Sequence, residues 1–372
     1  MPGSSVFTGD VGWWRARGAA AAVALVLAAC GDGGGGGGGS SSVGQNAVIQ
    51  PYLMALDACD PSSNCQGTPQ HTIYFLQSSD GVNWQPVPGF MPLVGGVPTI
   101  VRRGNTIYLA EQDGRDLAGN LKEGAMKLIR YHMDTGTWDS PVLINLTDAQ
   151  NPGPYFDTDF TRDSHGNLVL VYHADANGLN GCNASPCDQH IRMAFEVPGS
   201  DGASFVAQAN DAVTIEVGDQ GGAVDPYAFF DGSQYILYVA TRMGPLPELN
   251  SLSQITVYTS PTVGGPYTLF GGLPNGELVY AAGQASGFYN AALAQYWHYA
   301  TDGMSAVYEA TVSTLAQQFS LPPPAPSTSC PSPPPAPCGP PVPVATPVIT
   351  TGTLGLPATY QINHPKFALN TP

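Results

Sequence analysis

The chain alternates short apolar runs with glycine-centred turns and never sustains the 3.6-residue spacing of an amphipathic helix. From residue 47 to 321 the runs are rich in β-branched and aromatic side chains. They are punctuated by Asp80-Gly81, Asp113-Gly114, His165-Gly166-Asn167, Asp201-Gly202 and Asp231-Gly232. Each such pair puts a residue tolerant of positive φ where two strands must reverse. One phrase recurs at a spacing of ~60 residues, which is the behaviour of a repeat architecture. It is an apolar opening strand, a turn, then an apolar run. Its plain copies are Val97-Pro98-Thr99-Ile100-Val101 with Asn105 to Leu109, Asp159-Phe160-Thr161 with Leu168 to Tyr172, and Asp225-Pro226-Tyr227-Ala228-Phe229 with Tyr235 to Val239.

The second half of the phrase also repeats. Its copies begin at Thr72, Met126, His190, Gln254 and Ser305, which makes five units. Five repeats of about four strands each predict an all-β fold, a five-bladed β-propeller with four-stranded antiparallel blades. The first unit is short of strands, and Val48 to Leu56 supplies one. The tail from Thr346 to Leu369 can supply another and close the ring, which would remove exposed sheet edges. The organisation expected is therefore a propeller over 47–321, a Pro-rich linker over 322–345 and a tail over 346–372.

The N-terminus predicts export. Arg15 and Arg17 precede an apolar run too short to cross a bilayer as a helix, and the run ends in Leu27-Ala28-Ala29-Cys30. This resembles a bacterial lipoprotein signal (residues 1–29), with Cys30 as the acylated mature terminus and 30–46 as a Gly/Ser tether. Gly at position 31 points to the outer rather than the inner membrane, so the expected location is the bacterial cell envelope. The other six cysteines fall into three local pairs, Cys59 with Cys65, Cys182 with Cys187 and Cys330 with Cys338, as disulfide staples would. No CxxC occurs and no His stands at finger spacing beside them, so no metal is expected. Removing 1–29 leaves 10 basic against 27 acidic residues, a net charge of −17. Such a surface repels nucleic acid and anionic headgroups. Contact with membrane is expected through the anchor only, and the chain is expected to be a monomer without a cofactor.

The turns carry the family resemblance. Ser78-Ser79-Asp80-Gly81-Val82-Asn83-Trp84 resembles the Ser-x-Asp-Gly-x-x-Trp hairpin of glycosidase-like propellers. Asp134 to Trp138 looks like a degenerate copy, and Ser260 to Tyr267 resembles the furanosidase variant. Over roughly 47–321 the chain is similar to five-bladed furanosidases of the arabinanase and levansucrase/invertase type. That resemblance implies carbohydrate as partner and a carboxylate on several inner strands: a base, a tuning carboxylate and an acid. Matched residue by residue, Asp159, or its neighbour Asp157, stands for the base and Asp225 for the orienting carboxylate. The acid has no match. Val97 opens one blade where a carboxylate is expected, and Glu111, Glu216 and Glu277 lie away from strand openings. Tyr227, Phe156, His173 and Tyr289 are the candidates for contact with sugar, the aromatics by stacking.

A second resemblance, to sialidase propellers, rests on Pro98 to Val101, Leu109 to Gln112 and Arg115. Gly96 stands where that pattern carries its first carboxylate-gripping Arg. A non-catalytic propeller that binds glycan or protein through the same funnel is the competing reading.

Overall fold

The computed structural model describes residues 49–63, 65, 70–151, 153–174, 187–217, 222–242, 254–280, 282–302, 306–322 and 343–369. Their strands form five sheets arranged as the blades of a propeller. Four of the innermost strands follow chain order: Gly96–Arg103 in blade II, Phe156–Arg162 in III, Gly222–Phe230 in IV and Gln284–Asn290 in V. The fifth, Gln361–Leu369, comes from the end of the chain and pairs antiparallel with Tyr52–Cys59, so it is the innermost strand of blade I. The first and last strands of the domain thus share one sheet. Phe367 anchors the late strand, stacking on Phe288 at 4.3 Å between centroids and on Tyr299 at 5.3 Å.

The blades carry four to six strands rather than four throughout. The extra strands come from the connections between blades. Asn145–Thr147, which leads out of blade II, lies parallel to Ser204–Ala207 of blade III. Phe319–Ser320, which follows blade V, lies parallel to Glu277–Tyr280 of blade IV. Each covers an outer edge that would otherwise be open for pairing.

The core lies between blades. Tyr238, Tyr227 and Phe229 of blade IV pack with Ala300 and Ala310 of blade V, while Val169 and Met193 of blade III pack against Leu237 and Val239 of blade IV. The hairpin after the third strand of blade I is held as its sequence predicts. The Asp80 carboxylate accepts from the main-chain N–H groups of Val82 and Asn83, and Trp84 Nε1 donates to the Gly81 carbonyl. Gly81 has φ of 79°, and a Cβ there would sit 2.2 Å from the Trp297 ring, so no other residue fits. The hairpin docks blade I onto blade V, which makes its role structural.

The Cys59–Cys65 disulfide is present. Cys30, Cys182, Cys330, Cys338 and the Cys187 side chain lie outside the described residues, as do the signal, the tether and most of the Pro-rich stretch. Among the described residues no helix is long and apolar enough to cross a membrane.

Candidate functional site

Four of the five innermost strands break register at their opening. In blade II the shift spans Gly96 to Thr99, in III Phe156 to Asp159, and in IV Val224 to Tyr227. In blade I it falls at His364-Pro365, opposite the step from Ala55 to Asp57. Each bulge starts on a non-glycine residue in the left-handed region: Val97 at 49°, Asp157 at 50°, Asp225 at 52° and His364 at 50°. A left-handed backbone is costly for such residues, above all for β-branched Val97, and persists only where the surroundings enforce it. Bulges re-aim side chains, and here they assemble two layers of polar groups across the propeller axis.

The upper layer, the mouth, lies where the innermost strands of blades II, III and IV open. Asp57, on the second strand of blade I, is fully buried and lies at its centre. Its Oδ1 is 2.9 Å from His71 Nδ1. Its Oδ2 is 2.8 Å from His364 Nδ1 and accepts from the Val97 N–H at 2.7 Å. The other ring nitrogen of His364, Nε2, lies 3.4 Å from Asp225 Oδ1. The Asp157 carboxyl completes the row, accepting from the main-chain N–H of Asp225. Gln284 of blade V accepts from the His364 main-chain N–H at 3.3 Å and hydrogen-bonds the Asp225 carboxyl.

These contacts divide the proton affinities. Burial raises Asp57, but His364 and then His71 outweigh it and hold the carboxyl far below its ordinary value. Burial lowers His364, yet Asp57 and Asp225 on either side raise it well above the ordinary imidazole value. Both neighbours favour the charged form of the ring. Asp225 is raised by burial and then brought below the ordinary value by His364, Lys366 and Gln284. Asp157 goes the other way, because burial and the neighbouring Asp225 charge both favour its protonated form. Of the two carboxyls, Asp157 is the one whose surroundings favour the protonated form.

The lower layer is sealed. Asp159 is 0% exposed. Its Oδ1 accepts from Thr99 Oγ1 at 2.9 Å, its Oδ2 accepts from the Ala228 N–H at 3.2 Å, and Lys366 Nζ approaches to 4.0 Å. Lys366 is also buried, donates to the Pro226 carbonyl at 3.0 Å and lies 5.5 Å from the Tyr227 ring centroid. Burial raises Asp159 to about 6 against the pull of Lys366 and Thr99. The layer is a packed, mutually satisfied floor beneath the mouth.

The structure thus separates the expected site residues. Asp157 and Asp225 come together at the mouth, 7% and 6% exposed, while Asp159 lies in the floor. Tyr227 belongs to the floor too, its hydroxyl donating to the Gly287 and Phe367 carbonyls. Phe156 opens the blade III strand directly before Asp157 and is half-buried. His173 is buried opposite it, its Nε2 2.9 Å from Gln189 Oε1. Tyr289 is remote. Gln284 at the start of its strand touches the mouth, and five residues at ~3.3 Å each carry Tyr289 toward the other end of the axis. Arg102, Arg103 and Arg162 also lie at that far end, where Arg103 pairs with Glu196 and Asp201, so these arginines cannot grip a carboxylate at the mouth.

The sequence reading missed Asp57, His364 and Lys366. Two signals could have found them. His364-Pro365 repeats the residue-Pro step of Val97-Pro98 and Asp225-Pro226, and Asp57 is a lone carboxylate within an apolar strand, where a buried charge requires partners. Among the described residues no group of three His, Cys, Asp or Glu side chains is placed to hold a metal ion.

No protein-family model matches the chain, and no curated protein matches it. Solved structures similar to it include an endo-arabinase from Bacteroides thetaiotaomicron, at 11% identity and a TM-score of 0.45, covering 65% of this chain and 88% of that one. A thermostable family-43 glycoside hydrolase matches at 12% identity and a TM-score of 0.43, covering 68% and 85%. An exo-1,5-α-L-arabinanase from a bovine ruminal metagenomic library matches at 13% and 0.41, covering 67% and 83%. The propeller itself rests on the strand pairing described above.

Proposed function

We propose that the chain is a carbohydrate-active propeller that takes a neutral sugar at the funnel mouth and hydrolyses a glycosidic bond there. The observation that carries this is the meeting of Asp157 and Asp225, which adjacent blades bring together beside His364, in surroundings that favour the protonated form of the first and the ionised form of the second. Two neighbouring carboxyls, one protonated and one ionised at the same pH, are the pair that glycoside hydrolysis requires. Asp157 donates its proton to the departing glycosidic oxygen. Asp225 is the carboxylate that activates water or attacks the anomeric carbon. This departs from the assignment by strand position, in which Asp159 or Asp157 is the base, Asp225 the orienting carboxylate and the acid has no match. Selection of a neutral sugar follows from charge. The mouth sets the Asp57 and Asp225 carboxylates around one imidazole, Lys366 is paired with Asp159 in the floor, and an acidic sugar would meet net repulsion.

A second reading, glycan binding without turnover, is favoured by one contact. The Asp157 carboxyl is close enough to accept from the Asp225 main chain, whereas glycosidases separate their two carboxyls by at least ~5 Å to seat the sugar. A panel of aryl arabinosides, xylosides and fructosides decides between them. Hydrolysis requires turnover that Asp225→Asn and Asp157→Asn each lower by about 10²–10⁴-fold. Sugar binding that survives both substitutions, with no turnover by the unaltered protein, establishes the second reading.

The proposal extends to location: a lipid on Cys30 anchors the domain to the outer membrane of a bacterial envelope, as a monomer without nucleic-acid contact. The Leu27-Ala28-Ala29-Cys30 sequence and the Gly/Ser run behind it support this. Cys30→Ala is expected to move the protein from the membrane to the soluble fraction; unchanged fractionation removes the anchor from the account.

A further inference from the structure

The mouth contains one cationic side chain that the hydrolytic scheme does not use, and it comes from the end of the chain. His364 sits on the strand that closes the ring, 307 residues after its partner Asp57.

 His364 owes its position to two things: the bulge turns its side chain toward the axis, and the Asp57 carboxylate fixes the ring. Asp57 is held ionised and fully buried, so it accepts, and His364 Nδ1 must carry the hydrogen it donates. That leaves Nε2 facing Asp225 Oδ1 across 3.4 Å. The arrangement of carboxylate, imidazole and acting group is the one by which a buried Asp orients a His toward its target.

We propose that His364, held by Asp57, is the positioning residue for Asp225, so that the strand closing the ring also completes the candidate site. The proposal deepens the hydrolytic reading and rests on it for the role of Asp225. The groups that face the imidazole from each packed element are few. Asp57 faces it from the second strand of blade I, with His71 on the far oxygen of that carboxylate. Asp225 faces it from blade IV, with Asp157 of blade III beyond and acting on it through space. Lys366, two residues along the same strand, acts on both aspartates from the floor. Blade V contributes the neutral Gln284 and blade II only the Val97 main chain, which bonds Asp57. Among these groups His364 lies nearest the Asp225 carboxyl, so it is the nearest source of counter-charge for it.

The test is a pair of titrations on the unliganded protein, which need no substrate. An opposite charge within ~4–6 Å shifts a carboxyl by about 1–3 pH units. In His364→Gln the ¹³Cγ midpoint of Asp225 is expected to rise by at least ~1 unit. In Asp225→Asn the ¹⁵N midpoint of His364 is expected to fall by a comparable amount, because coupling between two sites is reciprocal. A His364 that only fills space would move neither midpoint. If one variant fails to fold, the other decides alone. Midpoints unchanged in a folded variant overturn the proposal. Failure of the unaltered protein to cleave any glycoside would instead remove the hydrolytic reading and leave the measured coupling in place.

Discussion

The mouth and the floor are built by the same device and end in opposite chemistry. In both layers the bulged strands of blades I, III and IV bring acidic and basic side chains to the axis. In the floor, Asp159 meets a hydroxyl, a main-chain N–H and an ammonium, and all of them are buried. In the mouth, Asp157 and Asp225 lie side by side, the His364 ring stands between Asp225 and Asp57, and the two carboxyls are shifted in opposite directions. A satisfied charge cluster stabilises; an unevenly satisfied one stores reactivity. The difference is one step of two residues along each strand, from Asp157 to Asp159 and from His364 to Lys366.

The largest break in this comparison comes from the chain end. Deleting 361–372 removes His364 from the mouth, Lys366 from the floor and Phe367 from the core, and it leaves Tyr52–Cys59 as an open edge. The expected outcome is loss of the native near-UV circular dichroism, because all three regions fail together. Next in size is Asp159→Ala, which strands the Lys366 ammonium in the floor. Removing one partner of a buried pair costs about 3–5 kcal/mol, read from urea unfolding. The matching change at the mouth, Asp157→Asn, puts a neutral isostere where the surroundings already favour an uncharged carboxyl, and it is expected to leave stability within about 1 kcal/mol of the unaltered protein, or to raise it. Equal losses at Asp157 and Asp159 would erase the distinction between the two layers.

Glu111 of blade II gives the smallest effect and a clean sign. It is 4% exposed, its Oε2 has no hydrogen-bond partner, and Lys127 lies 3.6 Å from Oε1. Burial, with Asp113 second, pushes its carboxyl from 4.5 up to about 8. Between those values the folded chain holds a proton that the unfolded chain has released, so stability falls as pH rises through the window and levels off above it. Glu111→Gln is expected to raise Tm by a few degrees at pH 8.5 and to leave it unchanged at pH 4.5. A gain at the lower pH alone would contradict the sign.

The propeller was legible because its repeat is written in strand-forming residues and turn pairs, and five copies of one half survive with little drift. The hairpin at Ser78 to Trp84 was legible for the same reason, since Asp80, Gly81 and Trp84 each have a local task. The site was only half legible. Asp225 and Asp157 stand at strand openings that the repeat marks, but nothing in local sequence distinguishes Asp157 from Asp159. Only the bulge decides which of them reaches the mouth. Asp57 and His364 were hidden for another reason: their meeting depends on a pairing between the two ends of the domain, which spacing along the chain does not report.

The most direct test of the account follows the two layers at once. Labelled His, Asp and Lys signals of the folded domain are monitored while a neutral arabino- or xylo-oligosaccharide is added. The account predicts that His364, Asp157 and Asp225 shift with a common saturation curve while Asp159 and Lys366 stay in place. Shifts confined to the far end of the axis, around Arg103 and Glu196, or sugar binding that leaves the mouth signals unmoved, would contradict it.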